Sequence, residues 1–282
     1  MRSRVELQNL APARVLGSSI VVRSKGKVAS GKMRFDSSAT YRGETSLFKV
    51  YYDNALGTGA GSSIADIVLS RCDTDYQLLS DIFGSVSPPL PFTVVVASDS
   101  LAGSGAYHHS PIDKVLYCAG NVSADPGFTP GLLVAAEVEV FCAAQGLGWD
   151  CSKTNGQGLS RVLAQELYPG VFDSFHTTDR WLDSGRPDYL THNPASGVDS
   201  LSNGCSVLFL YYLRYILGYE WARIVQTGGA TFEETFVGVT GQSSAYSTFR
   251  DFVDSWFPPG IPSGLQVDNP FLCSTTALLQ ES

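Results

Sequence analysis

The chain is short of charge, of histidine and of long apolar runs. Only 16% of its 282 residues are Asp, Glu, Lys or Arg, against 44% hydrophobic. That balance excludes a disordered chain, which keeps charge high and apolar content low. No uninterrupted apolar run reaches the roughly 18 residues that cross a bilayer. The nearest, Leu208 to Leu217, is broken by Arg214, so no membrane span is expected. The six cysteines form no C-x-x-C pair, and none has a histidine at zinc-finger spacing. G-x-S-x-G is missing, which excludes a nucleophile elbow. Residues 57–63, GTGAGSS, lack a P-loop lysine and the G-x-G-x-x-G order. They read as a turn into a helix capped by Ser62 or Ser63.

What charge there is lies unevenly. The net charge is −8. Up to Arg34 there are eight basic residues and one acid, Glu6, a balance of +7; the rest holds eleven basic and twenty-six acidic residues, −15. A basic arm on an acidic body is the expectation, and an arm of that kind can dock on the body of a second copy. Nucleic acid is not an expected partner: the arm lacks interleaved aromatics, and the acidic body repels phosphate. The first thirty residues are Arg- and Ser-rich like a transit peptide, with no apolar run of the secretory kind. Cys142 and Cys151 flank a glycine-rich loop that a disulfide would close, and Asn121-Val122-Ser123 is a glycosylation sequon. An extracellular or cell-surface location is the matching expectation.

Periodicity gives the elements. Residues 1–45 form an arm with short strand-like pieces, 46–258 the main domain, and 259–282 a Pro- and Gly-rich tail that wraps the surface. Residues 46–52 (SLFKVYY) read as a strand apolar on both sides. Residues 64–83 carry a helical stripe stopped by Gly84. Residues 91–97 and 115–118 read as further strands. Residues 131–145 form an apolar helix opened by Pro130, and residues 158–168 a second helix. Residues 203–217, 220–227, 231–240 and 244–257 add four more. The fold class is α+β: a small mixed sheet with a helix, then a mostly helical C-terminal half.

That order resembles the glutamate-zincin metallopeptidases. Gly105-Ala106-Tyr107 falls where those proteins have an edge strand, and Val115 to Cys118 where the next strand leads into the metal-binding helix. Ala136-Glu137-Val138-Glu139-Val140 falls on the H-E-x-x-H place. Gln157-Gly158 stands where a zinc-binding glutamate opens the following helix. The resemblance implies a zincin-like fold over roughly residues 46–255 and also shows what this chain has lost. Two histidines four apart grip one ion, and the glutamate beside them polarises its water. Here Ala136, Val140 and Gln157 replace the three ligands, so neither zinc nor another cofactor is expected.

Two functions stay open. One is a metal-free, non-catalytic pseudo-peptidase domain for binding or homo-oligomeric assembly through the arm, with a peptide or glycan as ligand. Tyr107, Ala136, Val140, Gln157 and Arg161 would then line a remnant cleft, with Glu137 hydrogen-bonded to Tyr107, Gln157 or Arg161. The other is a metal-independent hydrolase in which Glu137 is catalytic with a second carboxylate, Glu166 or Asp150. The four histidines, His108, His109, His176 and His192, read as loop residues, and Cys205 as a packed or disulfide-linked cysteine. Trp181, Asp183, Arg186 and Asp188 form a polar–aromatic cluster in a long loop, a place where binding residues gather.

Overall fold

The computed structural model describes residues 14–15, 39–98, 106–108, 114–121, 124–194 and 200–271. Cys273, His109 and Gly105 lie outside them. The strands are β1 (Arg14–Val15), β2 (Ala39–Glu44), β3 (Phe48–Asp53), β4 (Phe92–Ala97), β5 (Ala106–His108) and β6 (Val115–Ala119). The α-helices are α1 (Thr58–Ile82), α2 (Phe128–Gln145), α3 (Thr154–Leu167), α4 (Thr178–Leu182), α5 (Ser200–Tyr211), α6 (Trp221–Thr227), α7 (Phe232–Thr240) and α8 (Ala245–Trp256). A π-turn, Tyr212–Ile216, continues α5. The protein is a mixed α+β fold whose helical half follows the sheet.

The sheet runs β1-β5-β6-β4-β3-β2. β3, β4 and β6 are mutually parallel, while β2 pairs antiparallel with β3 and β5 antiparallel with β6. β2 falls in the stretch read as the arm, and β1, also from that stretch, runs parallel to β5. Within β4 all residues but Thr93 are buried. A parallel strand covered on both faces needs this apolar run. Phe48 of β3 meets Tyr76 of α1 edge-on at 6.2 Å, and Phe83, which caps the end of α1, stacks on Phe141 of α2 at 5.1 Å. These rings bind α1 and α2 to each other and to the sheet.

The glycine-rich piece before α1 corrects the expected turn. Thr58 already starts the helix, and the Ser62 and Ser63 hydroxyls donate back to the Gly59 carbonyl instead of capping. The glycine at 61 answers to packing: a Cβ there would lie 2.4 Å from the ring of buried Tyr52. Helix α3 also begins earlier than the pattern predicts, at Thr154, because loop backbone satisfies its polar first turn. Asn155 Nδ2 donates to the carbonyls of Gly148 and Gly229, both at 3.0 Å.

Every residue of α2 from Phe128 to Cys142 is buried. Thr129 Oγ1 donates to the Ala119 carbonyl at its start, and left-handed Gly146 (φ 69°) closes it. This helix has the length and hydropathy of a membrane span, which the run-length reading missed because Glu137 and Glu139 interrupt the run. It lies 83% buried within the fold, as the central helix of a domain does. The helical half packs on Phe209, which meets Phe232 and Phe249 at 5.3 Å each. The described part of the tail past Pro258 is anchored: Asp268 and Phe271 are both buried.

Two glycines of α1 separate propensity from packing. Gly61→Ala should destabilise the protein by roughly 1–3 kcal/mol, since the clash with Tyr52 outweighs the gain in helix propensity. Gly59→Ala, with open space around it, should stabilise by about 0.5–1 kcal/mol. Urea midpoints of the two variants measure both.

Candidate functional site

Glu137 is fully buried in α2, and neither carboxyl oxygen has a hydrogen-bond partner among the described residues. Its carboxyl interacts with Asp75, Asp73, Cys72 and Tyr76 of α1 and with Cys118 of β6. It therefore faces the interior between α1 and the sheet. Burial first, and the charges of Asp75 and Asp73 after it, push its pKa well above the usual carboxylate range. The shift favours the neutral form of the group. Its neighbours respond to the same environment, and the Cys72 thiol is pushed up to about 12 by burial, then by Asp73 and Glu137.

Asp75 is the acid whose charge acts most on Glu137. It is buried, accepts a short hydrogen bond from the Tyr168 hydroxyl, and lies 3.9 Å from Arg71. Burial raises its pKa against the opposing pull of Tyr168 and Arg71. The two acids weighed as partners from the sequence are engaged elsewhere. Glu166 accepts from the Tyr215 hydroxyl at 2.8 Å and from Trp221 Nε1 at 3.0 Å. Asp150 accepts from Ser152 Oγ at 2.6 Å. Glu139, also fully buried, lies on the Cys151 side of α2.

The other residues expected to line a cleft divide into an apolar pair and a polar row. Ala136 and Val140 share one face of α2 by their spacing, and both are completely buried. Gln157, in the first turn of α3, donates from Nε2 to the Cys151 carbonyl at 2.9 Å. At Gly158 a Cβ would sit 2.5 Å from Ser206 Oγ of α5, so α3 and α5 touch there without room for a side chain. Arg161, one turn on from Gln157, pairs with Asp268 at 3.1 Å and donates to the Phe175 carbonyl. Tyr107 stands opposite Tyr117 in the sheet register; its side chain lies outside the described residues, as does that of His108.

Asp268 organises a buried polar network. Thr177 and Thr178 N–H donate to it at 2.6 and 2.9 Å, and Gln165 Nε2 at 2.7 Å. Tyr211 extends the chain by donating to Gln165 Oε1 at 2.8 Å. Burial opposes the Asp268 charge, but Arg161 and the N–H donors outweigh it, and its pKa falls. Sequence reasoning missed Asp75 and Asp268. Both are acids at polar positions, and their burial depends on partners far along the chain.

The loop cluster holds its own loop. Trp181 Nε1 donates to the Pro187 carbonyl, buried Arg186 pairs with Asp254, and Asp183 accepts from Ser263 N–H. Asp188 accepts from the Leu190 and Thr191 N–H groups. His176 Nδ1 lies 2.8 Å from the Asp173 carbonyl oxygen, and exposed His192 lies beside Thr191. Among the described residues no three His, Cys, Asp or Glu side chains are grouped to hold a metal ion.

Two pH dependences follow, with opposite signs. A carboxyl whose folded pKa is raised weakens the fold as pH climbs above its unfolded value, about 4.3. Replacing Glu137 by Leu should therefore stabilise at pH 8 by roughly 1–3 kcal/mol, the cost of an unpaired buried polar group, and by less at pH 4. Asp268, with a lowered pKa, stabilises above about pH 4. Asp268→Asn should cost about 3–5 kcal/mol at pH 7, as broken buried pairs do, with the loss narrowing as pH falls below that value. Denaturant titrations across pH check both slopes.

No protein-family model, curated protein or solved structure matches the chain.

Proposed function

We propose that this chain is a metal-free, zincin-like domain that works by binding and self-assembly rather than by catalysis. The observation that carries the reading is the state of the ligand-bearing places. Ala136 and Val140 present buried hydrocarbon, and Gln157 commits its amide to the Cys151 carbonyl. None of these groups can hold a metal-bound water against Glu137. The order of elements supports the fold half of the proposal: antiparallel β5 beside β6, then α2 directly after β6, then α3 packed on α2. Glu137 is fully buried, with no hydrogen-bond partner among the described residues, and its pKa is raised, which suits a core residue better than a general base.

Assembly is proposed through the arm. β5 pairs with β6 on one side and accepts Arg14–Val15 on the other. A strand added at a sheet edge can come from the same chain or a second copy. The basic arm also complements the −15 body. A peptide bound at the same edge is the expected ligand class.

The test is a sedimentation and activity comparison. The full chain should self-associate with rising concentration and less so at high salt, while a variant lacking residues 1–34 should remain monomeric. Identical masses for the two would overturn the assembly part. Hydrolysis of peptides or glycans by the full chain that disappears in Glu137→Gln would overturn the non-catalytic part.

A further inference from the structure

Only one face of the sheet belongs to the core. Phe48, Val50, Val94, Val96, Leu116 and Cys118 lie in the core cluster, on the side where α1 and α2 pack. The residues between them leave the opposite face, since successive side chains of a strand alternate. The register lines these up from strand to strand. Tyr41 of β2 stands opposite Tyr51 of β3, Tyr51 beside Val95 of β4, and Val95 beside Tyr117 of β6. The same row of the register continues to Tyr107 of β5 and Arg14 of β1. The rings of Tyr41 and Tyr51 meet edge-on, their centroids 5.4 Å apart. Tyr51 and Tyr117 are half-buried. Val95 between them is 2% exposed, although none of the three belongs to the core cluster.

We infer that this tyrosine row is a docking surface for residues 16–38 of the same chain. The ends of that segment carry the argument. Val15 of β1 stands at one edge of the sheet and Ala39 of β2 at the other. Five steps between strands set those edges about 24 Å apart. A stretch of 23 residues has to join them, and a chain of that length spans up to about 80 Å. One face of the sheet is filled by α1 and α2, which leaves the tyrosine face for the crossing. Composition agrees with that path. The segment holds Ile20, Val21, Val22, Met33 and Phe35, which gain from apolar cover. It also holds five bases and one acid, Asp36, a balance of +4 against −12 for the rest of the chain. Tyrosine rings offer such cations a negative face. Met33 and Phe35 alternate with Lys32, Arg34 and Asp36, a period that turns hydrocarbon to the rings and charge to solvent. The contact lies within one chain, so it is separate from self-assembly, which joins two.

Photo-crosslinking of the full chain tests this. In one variant Tyr117 on the sheet face is replaced by p-benzoylphenylalanine, and in a second Val22 of the segment is replaced by it. Each is irradiated in dilute solution, run on a denaturing gel to count chains, and mapped by tandem mass spectrometry. The Tyr117 probe should link within one chain to a residue between 16 and 38. The Val22 probe should be captured by β3, β4 or β6. Replacing Val22 leaves every residue of the core cluster in place, so its result decides the matter if the Tyr117 variant does not fold. A probe at Leu78, exposed on α1, should capture nothing from residues 16–38. Capture of the Val22 probe by α1 or by the C-terminal helices would overturn the inference, as would no capture at all. An adduct joining two chains would also overturn it, while leaving the self-assembly reading standing. An adduct within a chain that stays monomeric would support it and count against self-assembly.

Discussion

The enclosure of one helix on every side sets the terms for the rest of the molecule. α2 meets the sheet and α1 on one flank and α3 on the other, and Phe128 to Cys142 have no solvent-facing positions. A carboxyl held there without a hydrogen-bond partner is pushed toward its neutral form. Taking an isolated carboxylate out of water costs far more than protonating it near neutral pH. Glu137 is the group under that constraint. Asp75 shares it, softened by the Tyr168 hydroxyl and by Arg71 at 3.9 Å. Two buried acids that repel each other's charge, both with raised pKa values, are a stability cost that falls on the fold as pH rises.

The polar side of the domain follows another logic. Arg161, Gln165 and Tyr211 link α3 and α5 to Asp268 in the tail, and every bond in that chain has a donor and an acceptor. Here the charge is kept, because Arg161 and two backbone N–H groups compensate its desolvation. The tail segment is thereby part of the core's support, although its Pro- and Gly-rich composition marks it as surface. The same fold thus raises the pKa of one buried acid and lowers that of another, and the difference lies in what the neighbouring elements offer.

The elements with strong periodicity were legible in the chain: the strand around Phe48, the Val-rich β4, the apolar α2 and the four C-terminal helices. Boundaries slipped where tertiary contacts decide them. Residues 57–63 look like a turn because they are glycine-rich, yet Gly61 is glycine because Tyr52 presses on it. α3 starts early because Asn155 is bonded to a distant loop at Gly229. Glu137 stood out as an acid in an apolar run. Its orientation toward α1 did not, since nothing local to residues 131–145 reports Asp75 62 residues earlier. Asp268 was illegible for the same reason. The Trp181–Asp188 cluster looked like a binding loop because polar and aromatic residues gather there, and its partners Asp254 and Ser263 are too distant in sequence to be inferred.

The central claim is that α2 is a core helix whose acid is neutral, and the protonation of Glu137 tests it most directly. An infrared difference spectrum between the native chain and Glu137→Gln at pH 7 isolates that single carboxyl. The structure predicts the stretching band of a protonated carboxylic acid, insensitive to exchange of the bulk buffer from pH 6 to pH 8. The paired bands of an ionised carboxylate at pH 7 would contradict it, and would return Glu137 to consideration as a solvated, chemically available base.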